Sequence, residues 1–195
     1  MVKEKGLKGK ETKARIKEAA TYEFATHGFY NTKVSDIVKR ANLTQPGFYL
    51  YFSSKDAIFD ELVMDFRNKL HMLIETQRLS PKIEKEDLTQ RILISIEILF
   101  QFFIDNPDLT KVGLILAHDS ESFKGKIIEL LANNLKYEQQ SGYFRSNLSM
   151  DITAVCIFGM IEQLITSCLM RNKSNPKILA EEVVNLVIKG IVDQS

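Results

Sequence analysis

Apolar residues recur along the chain at spacings of three and four, which is the period of an α-helix with one buried face. In the first such segment, residues 11–26, one face carries Ile16, Ala20 and Phe24. We expect the pair His27-Gly28 to end this helix, because His suits a helix C-terminus and Gly suits the left-handed position after it. No segment alternates apolar and polar residues as a strand does, so the pattern predicts an all-α fold.

Two short helices are predicted next, at residues 34–41 and 45–51, followed by a series of longer ones. Short breaks separate the long helices at Asn-Pro and Ser-Gly pairs, and residues 79–84 are predicted to form a loop. The long helices are predicted at residues 55–78, 85–105, 108–117, 120–140, 151–172 and 177–192. The chain therefore divides into a three-helix head, residues 1–54, and a larger helical body, residues 55–195, with about nine helices in all.

Charge divides the chain at nearly the same place, after residue 56. Residues 1–56 contain eleven Lys and Arg against six Asp and Glu, a net charge of +5, while the remainder carries −4. A basic head on an acidic body indicates that only the head meets a polyanion. The alternative is a solvated basic tail, and the arm from Lys3 to Lys13 either contacts a phosphate or minor groove or is simply disordered.

Several classes of protein lack support in the sequence. The three His residues are far apart, no Gly-rich phosphate loop or Glu-x-x-His pair occurs, and we expect neither an enzyme nor a metal or other cofactor. Cys156 and Cys168 lie in apolar helical sequence and are expected to be buried free thiols, which favours a reducing, cytoplasmic location. We expect no signal peptide and no membrane span.

The segment after residue 32 has the chemistry of a helix-turn-helix unit. Asn42 stands where the backbone is expected to become left-handed, and Asn tolerates that conformation. Leu43 is expected to fill the core between the two helices, and Thr44 to cap the second of them. Pro46 is tolerated in a first helical turn because its missing N–H has no helical partner. Both helices of this unit precede residue 54, so the head contains the whole predicted helix-turn-helix.

The polar side chains of this unit suit DNA. A Gln forms a bidentate pair with adenine, a Gly allows close approach of the backbone, and Tyr, Ser and Lys contact phosphates. Phe48 and Phe52 are expected in the core, and Tyr49 either joins them with only its hydroxyl exposed or contacts DNA. Gln45, Tyr51 and Lys55 have no evident core role. The residues assigned to DNA on these grounds are Lys33, Ser35, Gln45, Gly47, Tyr49, Tyr51 and Lys55.

The strings GFYNTKVSDIVKRANLT, GFYLYF and SSKDAIFDEL resemble the DNA-binding domain of the TetR family of bacterial regulators, with a close match over residues 12–62. The family usually has Gly in the turn, where this chain has Asn42. The resemblance implies a DNA-binding transcriptional regulator that acts as a dimer, usually a repressor, with a C-terminal pocket for a small-molecule effector. Carried onto this chain, the family's DNA contacts fall on Ser35, Thr44, Gln45, Pro46, Gly47, Tyr49, Tyr51 and Lys55.

The body offers candidates for the dimer interface and the pocket. The last two helices are apolar on more than one face, so they either pair with a second copy or complete the monomer core. The abundance of Phe favours an apolar or amphipathic effector. The expected partners are therefore a double-stranded DNA operator and this small-molecule effector. The candidate pocket residues are Phe66, Leu70, Leu93, Phe100, Phe103, Leu114, His118, Phe158 and Glu162, with ordinary core packing as the alternative. His118 is alternatively a surface or capping residue. Glu162 stands in an apolar segment, where a buried carboxylate must find a partner, and it is alternatively at the rim of the dimer interface.

One rival to the regulator is a helical carrier or adaptor that binds a hydrophobic ligand and no DNA. A carrier has no need for exposed Gln45, Tyr51 and Lys55 on a basic unit, so the sequence favours a DNA-binding regulator. Because the expected dimer has two-fold symmetry, we expect its operator to be palindromic.

Overall fold

The structure is a computed structural model that describes residues 2–79, 84–169 and 175–189. These residues contain nine α-helices and no strand, which confirms the all-α fold. Two long helices begin and end as predicted, and most other predicted boundaries are within a few residues of those observed. The helices are α1 Val2–His27, α2 Val34–Arg40, α3 Gln45–Tyr49, α4 Lys55–Thr76, α5 Lys85–Asp105, α6 Pro107–Thr110, α7 Ser120–Gln140, α8 Met150–Leu164 and α9 Pro176–Val184.

The first helix is longer than its apolar pattern predicts. It begins at Val2, not at residue 11, so the basic arm is a helical extension of α1. In the sequence, residues 2–10 have only Val2 and Leu7 as large apolar residues, which is why periodicity alone missed the added turns. Lys and Glu are good helix formers, and Gly6 and Gly9 weaken a helix without ending it.

Three helices continue into π-helical segments, which no sequence pattern had indicated. Lys111–Leu116 follows α6, Ile165–Leu169 follows α8, and Asn185–Lys189 follows α9. The segment predicted as one helix at residues 108–117 is therefore α6 and its π-helical continuation. The predicted ends at residues 172 and 192, and most of the predicted loop at 79–84, lie outside the described residues.

By contacts, the chain forms two compact units. The head unit comprises residues 1–69 and 108–120, so it includes α1–α3, most of α4, α6 and the π-helical segment Lys111–Leu116. The body unit comprises residues 70–107 and 121–195. The functional division at residue 54 stays a prediction, because contacts describe compactness and not which residues bind DNA or effector.

The head unit is built around a core to which each of its helices contributes. The fully buried side chains include Ile16 and Phe24 of α1, Ile37 of α2, Phe48 of α3 and Ile58 of α4. The prediction that Phe48 and Phe52 belong to this core is confirmed. In the body unit, α5 packs against α9 and the π-helical segment Ile165–Leu169, and a second cluster joins Ala132, Leu135, Met150 and Ala154.

Candidate nucleic-acid interface

The turn between α2 and α3 has the predicted conformation. Asn42 has a φ of 51°, in the left-handed region, and is the non-glycine residue with positive φ among those described. The Leu43 N–H then donates to the carbonyl of Val38 at 2.9 Å, and the Leu43 side chain packs against the head core. This hydrogen bond and this contact fix the angle at which α3 leaves α2.

The helix α3 begins at a capped and exposed end. Thr44 has extended backbone, and its hydroxyl accepts a hydrogen bond from the Gly47 N–H at 3.3 Å. Gly47 also has little room for a side chain, since a Cβ there would lie 3.3 Å from the Thr44 Oγ1. Phe48 anchors the opposite face of α3 in the core. Gln45 and Pro46 are therefore exposed at the start of a helix whose opposite face is held in the core by Phe48.

The start of α2 is organised in a similar way. The Asp36 carboxylate accepts a hydrogen bond from the Lys33 backbone N–H at 2.9 Å, which stabilises the first turn of α2.

Most of the nine residues assigned to DNA are solvent-exposed, as residues that contact DNA must be. Gly47, Tyr51 and Lys55 are half-buried. The exposed ones are Lys33, Ser35, Thr44, Gln45, Pro46 and Tyr49.

The structure corrects the expectation that Lys55 has no core role. Its ammonium donates to the carbonyl oxygens of Phe29, at 2.7 Å, and Thr32, at 2.9 Å, and lies 4.3 Å from the centre of the Phe29 ring. Thr32 is itself buried and donates to two carbonyls of the preceding segment. Lys55 thus links the start of α4 to the loop between α1 and α2, because a hydrogen bond from a charged donor is among the stronger ones in a protein. Tyr51 is likewise half-buried against the head core, and the alternative that Tyr49 is core is wrong, since more than half of it is exposed.

We expect the substitution Lys55→Met to lower the free energy of unfolding by about 1–3 kcal/mol, because it leaves two carbonyls without their charged donor. Thermal denaturation followed by circular dichroism measures the loss. Lys33→Met is the matched control, because Lys33 is exposed and its removal is expected to leave the melting temperature unchanged. A Lys55→Met protein with the same melting temperature as wild type would contradict this structural role of Lys55.

An ion-pair cluster that joins α1 to α2 was not predicted. Glu23 is 7% exposed, and its carboxylate lies 2.5 Å from the Arg40 Nε and 3.0 Å from the His27 Nδ1. The Arg40 guanidinium stacks on the Tyr22 ring at 3.5 Å. The hydrogen bond to Glu23 raises the pKa of Arg40 above its ordinary value. A charged residue in the apolar stripe of α1 was the available signal, because a buried carboxylate requires a partner.

The nine candidate pocket residues divide between the two units. Phe66, Leu114 and His118 lie in the head unit, where His118 is exposed and its ring lies 5.7 Å from that of Phe29. The rest belong to the body unit, where Leu93, Phe158 and Glu162 are half-buried and the other three are buried. The body-unit candidates are Leu70, Leu93, Phe100, Phe103, Phe158 and Glu162.

Two carboxylates of the body unit have identifiable partners. Glu162 lies 2.8 Å from the Lys124 ammonium, and hydrogen bonds to Glu121 and Glu162 raise the pKa of that lysine. Glu138 is buried and accepts a hydrogen bond from the Leu79 N–H at 3.2 Å, while burial raises its pKa. Glu162 is therefore accounted for by an ion pair, which answers the question that its apolar surroundings posed.

The helices α8 and α9 present apolar side chains to solvent. On α8, Ile152 is 66% and Val155 54% exposed, and a Cβ built on Gly159 would meet nothing within 4 Å. On α9 and its continuation, Ile178, Leu186 and Val187 are also exposed. Among the described residues, Met150–Cys168 is apolar and long enough to cross a membrane by composition alone. One such helix is weak evidence for a span, and its exposed face equally suits a protein interface.

The cysteines correct one further expectation. Both are free thiols, but Cys156 is exposed and Cys168 is half-buried, so neither is a fully buried residue. Cys156 follows Val155, and both are exposed on α8. Because α8 is apolar on more than one face, its sequence does not show which of these faces packs in the core.

Comparison with known proteins agrees with this geometry. Residues 16–62 match the family model described as bacterial regulatory proteins of the tetR family, and residues 66–190 match the C-terminal region of YsiA-like proteins. The chain is 44% identical over 185 residues to the uncharacterized HTH-type transcriptional regulator YdgC of Bacillus subtilis strain 168, covering 95% of each.

Two further comparisons concern fatty-acid regulators. The chain is 27% identical to the fatty acid metabolism regulator protein of the same organism, over 91% of this chain and 94% of that one. The crystal structure of the transcriptional regulator FadR from Bacillus subtilis in complex with stearoyl-CoA superimposes with a TM-score of 0.70 at 23% identity, covering 92% of this chain and 99% of that one. The relatives are transcriptional regulators and not enzymes. The exposed helix-turn-helix and the matches along nearly the whole chain show that this protein is a DNA-binding transcriptional regulator of the TetR family.

Proposed function

We propose that this regulator is a cytoplasmic repressor that binds a palindromic operator as a homodimer and is released by a long-chain fatty acyl thioester. The observation that carries the DNA-binding part is the α3 helix, which is capped by Thr44, anchored by Phe48 and exposed at Gln45. An exposed Gln at the start of such a helix is placed to read an adenine edge in the major groove.

The apolar face of α8 and α9 supports the homodimer. Exposed Ile152, Val155 and Ile178 lose water contact when they pack against a second copy, and burial of apolar area is the main favourable term in association. Gly159 permits close approach of the two α8 helices, because it has no side chain to separate them. A two-fold dimer carries two copies of α3, and this symmetry matches a palindromic operator.

Two relatives support the class of effector. One is named a fatty acid metabolism regulator, and the solved structure of FadR holds stearoyl-CoA. An acyl thioester joins an apolar chain to a polar head, which fits the amphipathic effector expected from the Phe-rich body. Release requires the acyl thioester to bind the DNA-free form more tightly than the DNA-bound form, and DNA then weakens effector binding by the same factor.

One experiment tests these parts together. Wild-type protein selects duplexes from a random pool, and the bound operator is then titrated with stearoyl-CoA, with stearate and with coenzyme A while fluorescence anisotropy is followed. We expect an enriched palindrome, and release by stearoyl-CoA at concentrations where coenzyme A has no effect. Enrichment of no sequence would overturn the DNA-binding part, and a palindrome that stearoyl-CoA does not release would overturn the effector alone.

The variant Gln45→Ala sharpens the DNA assignment. We expect it to lose about 1–3 kcal/mol of discrimination at one base position of each half-site, because a bidentate contact to that base is removed. Affinity for random duplex is expected to stay near that of wild type, since Gln45 carries no charge. Repeating the selection with the variant shows whether one position becomes degenerate, and an unchanged consensus would remove Gln45 from the contacts.

A further inference from the structure

We propose that the N-terminal part of α1 is a second DNA contact, in which Lys8 and Lys10 bind the phosphate backbone beside the recognition helix. This inference rests on the proposed operator binding, and it concerns a segment that the helix-turn-helix unit does not include. Neither lysine belongs to the nine positions assigned to DNA above, but both belong to the arm from Lys3 to Lys13, for which phosphate contact was one of the alternatives.

The packing of α1 on α4 determines which part of α4 lies beside these lysines. The Lys13 ammonium is 2.8 Å from the Glu61 carboxylate, and Lys17 pairs with both Glu61 and Asp65. A step of four residues on α1 thus matches a step of four on α4, so the two helices run parallel. Extended by one turn toward the N-terminus, this register places residues 8–10 beside the first turn of α4, which begins at Lys55.

A close approach to the recognition unit agrees with that register. A Cβ built on Gly9 would lie 4.0 Å from the Tyr51 hydroxyl oxygen, so the backbone of α1 passes next to Tyr51. One turn later, the Lys13 ammonium lies 5.2 Å from the centre of the Phe52 ring. Residues 8–10 therefore lie at the same end of the head unit as the end of the recognition segment and the start of α4.

Lys8 and Lys10 are exposed cations at this end of α1. At about 100° per residue, Lys8 and Lys10 lie on either side of Gly9, and Glu11, three residues after Lys8, is about 60° from Lys8 around the helix axis. Glu61 and Asp65 neutralise Lys13 and Lys17. Lys8 and Lys10 are exposed, and no acidic side chain pairs with either of them in the part of the chain that the structure describes.

A lysine that contacts a phosphate beside the recognition helix contributes to binding by releasing counterions from DNA. Each phosphate contact adds about 0.9 to the slope of log affinity against log salt concentration. Two lysines on each of two protomers therefore account for a slope of roughly 3.6 per dimer. The contribution is independent of base sequence, because phosphates carry no sequence information directly.

The double variant Lys8→Gln/Lys10→Gln tests this contact in the full chain. Affinity is measured between about 50 and 200 mM KCl for the selected operator and for a random duplex of the same length. We expect the salt slope to fall by roughly 3.6 per dimer on both duplexes, while the enriched consensus and the melting temperature stay as in wild type. The variant Lys8→Arg/Lys10→Arg keeps both charges and is expected to retain the slope.

A matched control removes the same charge from the body unit. Lys126→Gln/Lys177→Gln replaces two exposed lysines on α7 and α9 and is expected to leave the slope unchanged. An unchanged slope in the α1 variant, or an equal fall in the control, would overturn the contact while leaving operator binding in place. Failure of the wild type to bind every duplex would overturn operator binding itself and this inference with it.

Discussion

The substitution Val155→Glu is expected to convert the proposed homodimer into a monomer and to weaken operator binding by about 10²–10⁴-fold. Val155 lies on the exposed apolar face of α8 next to Ile152 and Cys156. In a dimer formed through this face, two carboxylates would be buried against apolar side chains without partners, which costs several kcal/mol. A monomer then holds one half-site at a time and loses the advantage of linked binding.

Sedimentation velocity measures the assembly, and anisotropy measures operator affinity on the same samples. Because Val155 is more than half exposed, the substitution is expected to leave the helix content of the monomer unchanged. Met72→Glu is the control, since Met72 is an equally exposed apolar residue on α4 and not on the α8 and α9 face. A Val155→Glu protein that sediments as a dimer would place the interface elsewhere.

The second large effect is expected from Gly113→Ala in the π-helical segment Lys111–Leu116. A Cβ at Gly113 would lie 2.2 Å from the Phe66 Cδ1 and 2.7 Å from the Phe66 Cβ. Phe66 is fully buried, and the near atoms include the base of its side chain, so it has no rotamer that clears the space. We expect the free energy of unfolding to fall by about 1–3 kcal/mol, as is typical of overpacking in a dense core.

Two comparisons isolate the cause of that loss. Gly125→Ala lies inside α7 with open space around its Cβ, so it is expected to stabilise the protein by about 0.5–1 kcal/mol through helix propensity alone. Adding Phe66→Leu to Gly113→Ala is expected to recover part of the loss, because the two residues are in contact and their effects are not additive. Urea denaturation measures all of the variants, and a Gly113→Ala protein as stable as wild type would disprove the close contact.

Local chemistry in the sequence was sufficient for the helix-turn-helix unit. The left-handed Asn42, the capping Thr44 and the core residues Phe48 and Phe52 were all predicted, because each depends on neighbours a few residues away. Backbone conformation and capping are set within one helical turn, so a single sequence contains the necessary information. The assignments of Gln45 and the other DNA contacts follow from the same segment and stay predictions.

Contacts between distant residues were the part that the sequence did not reveal. Lys55 reads as a free surface cation, but it donates to carbonyls more than twenty residues earlier in the chain. Glu23 and Arg40 similarly come together only when α1 and α2 pack. Such pairs have no local signature, because residue type alone does not say which backbone groups a cation will meet.

By itself, the sequence determined the all-α class, the helix-turn-helix and most helix boundaries, since these follow from apolar periodicity and from turn and cap residues. Only the tertiary structure decided which apolar faces remain exposed on α8 and α9, and which lysines of α1 are neutralised by α4. The physical reason is the same in each case. Periodicity shows that a helix has an apolar or basic face, but the packing of other elements decides what that face contacts.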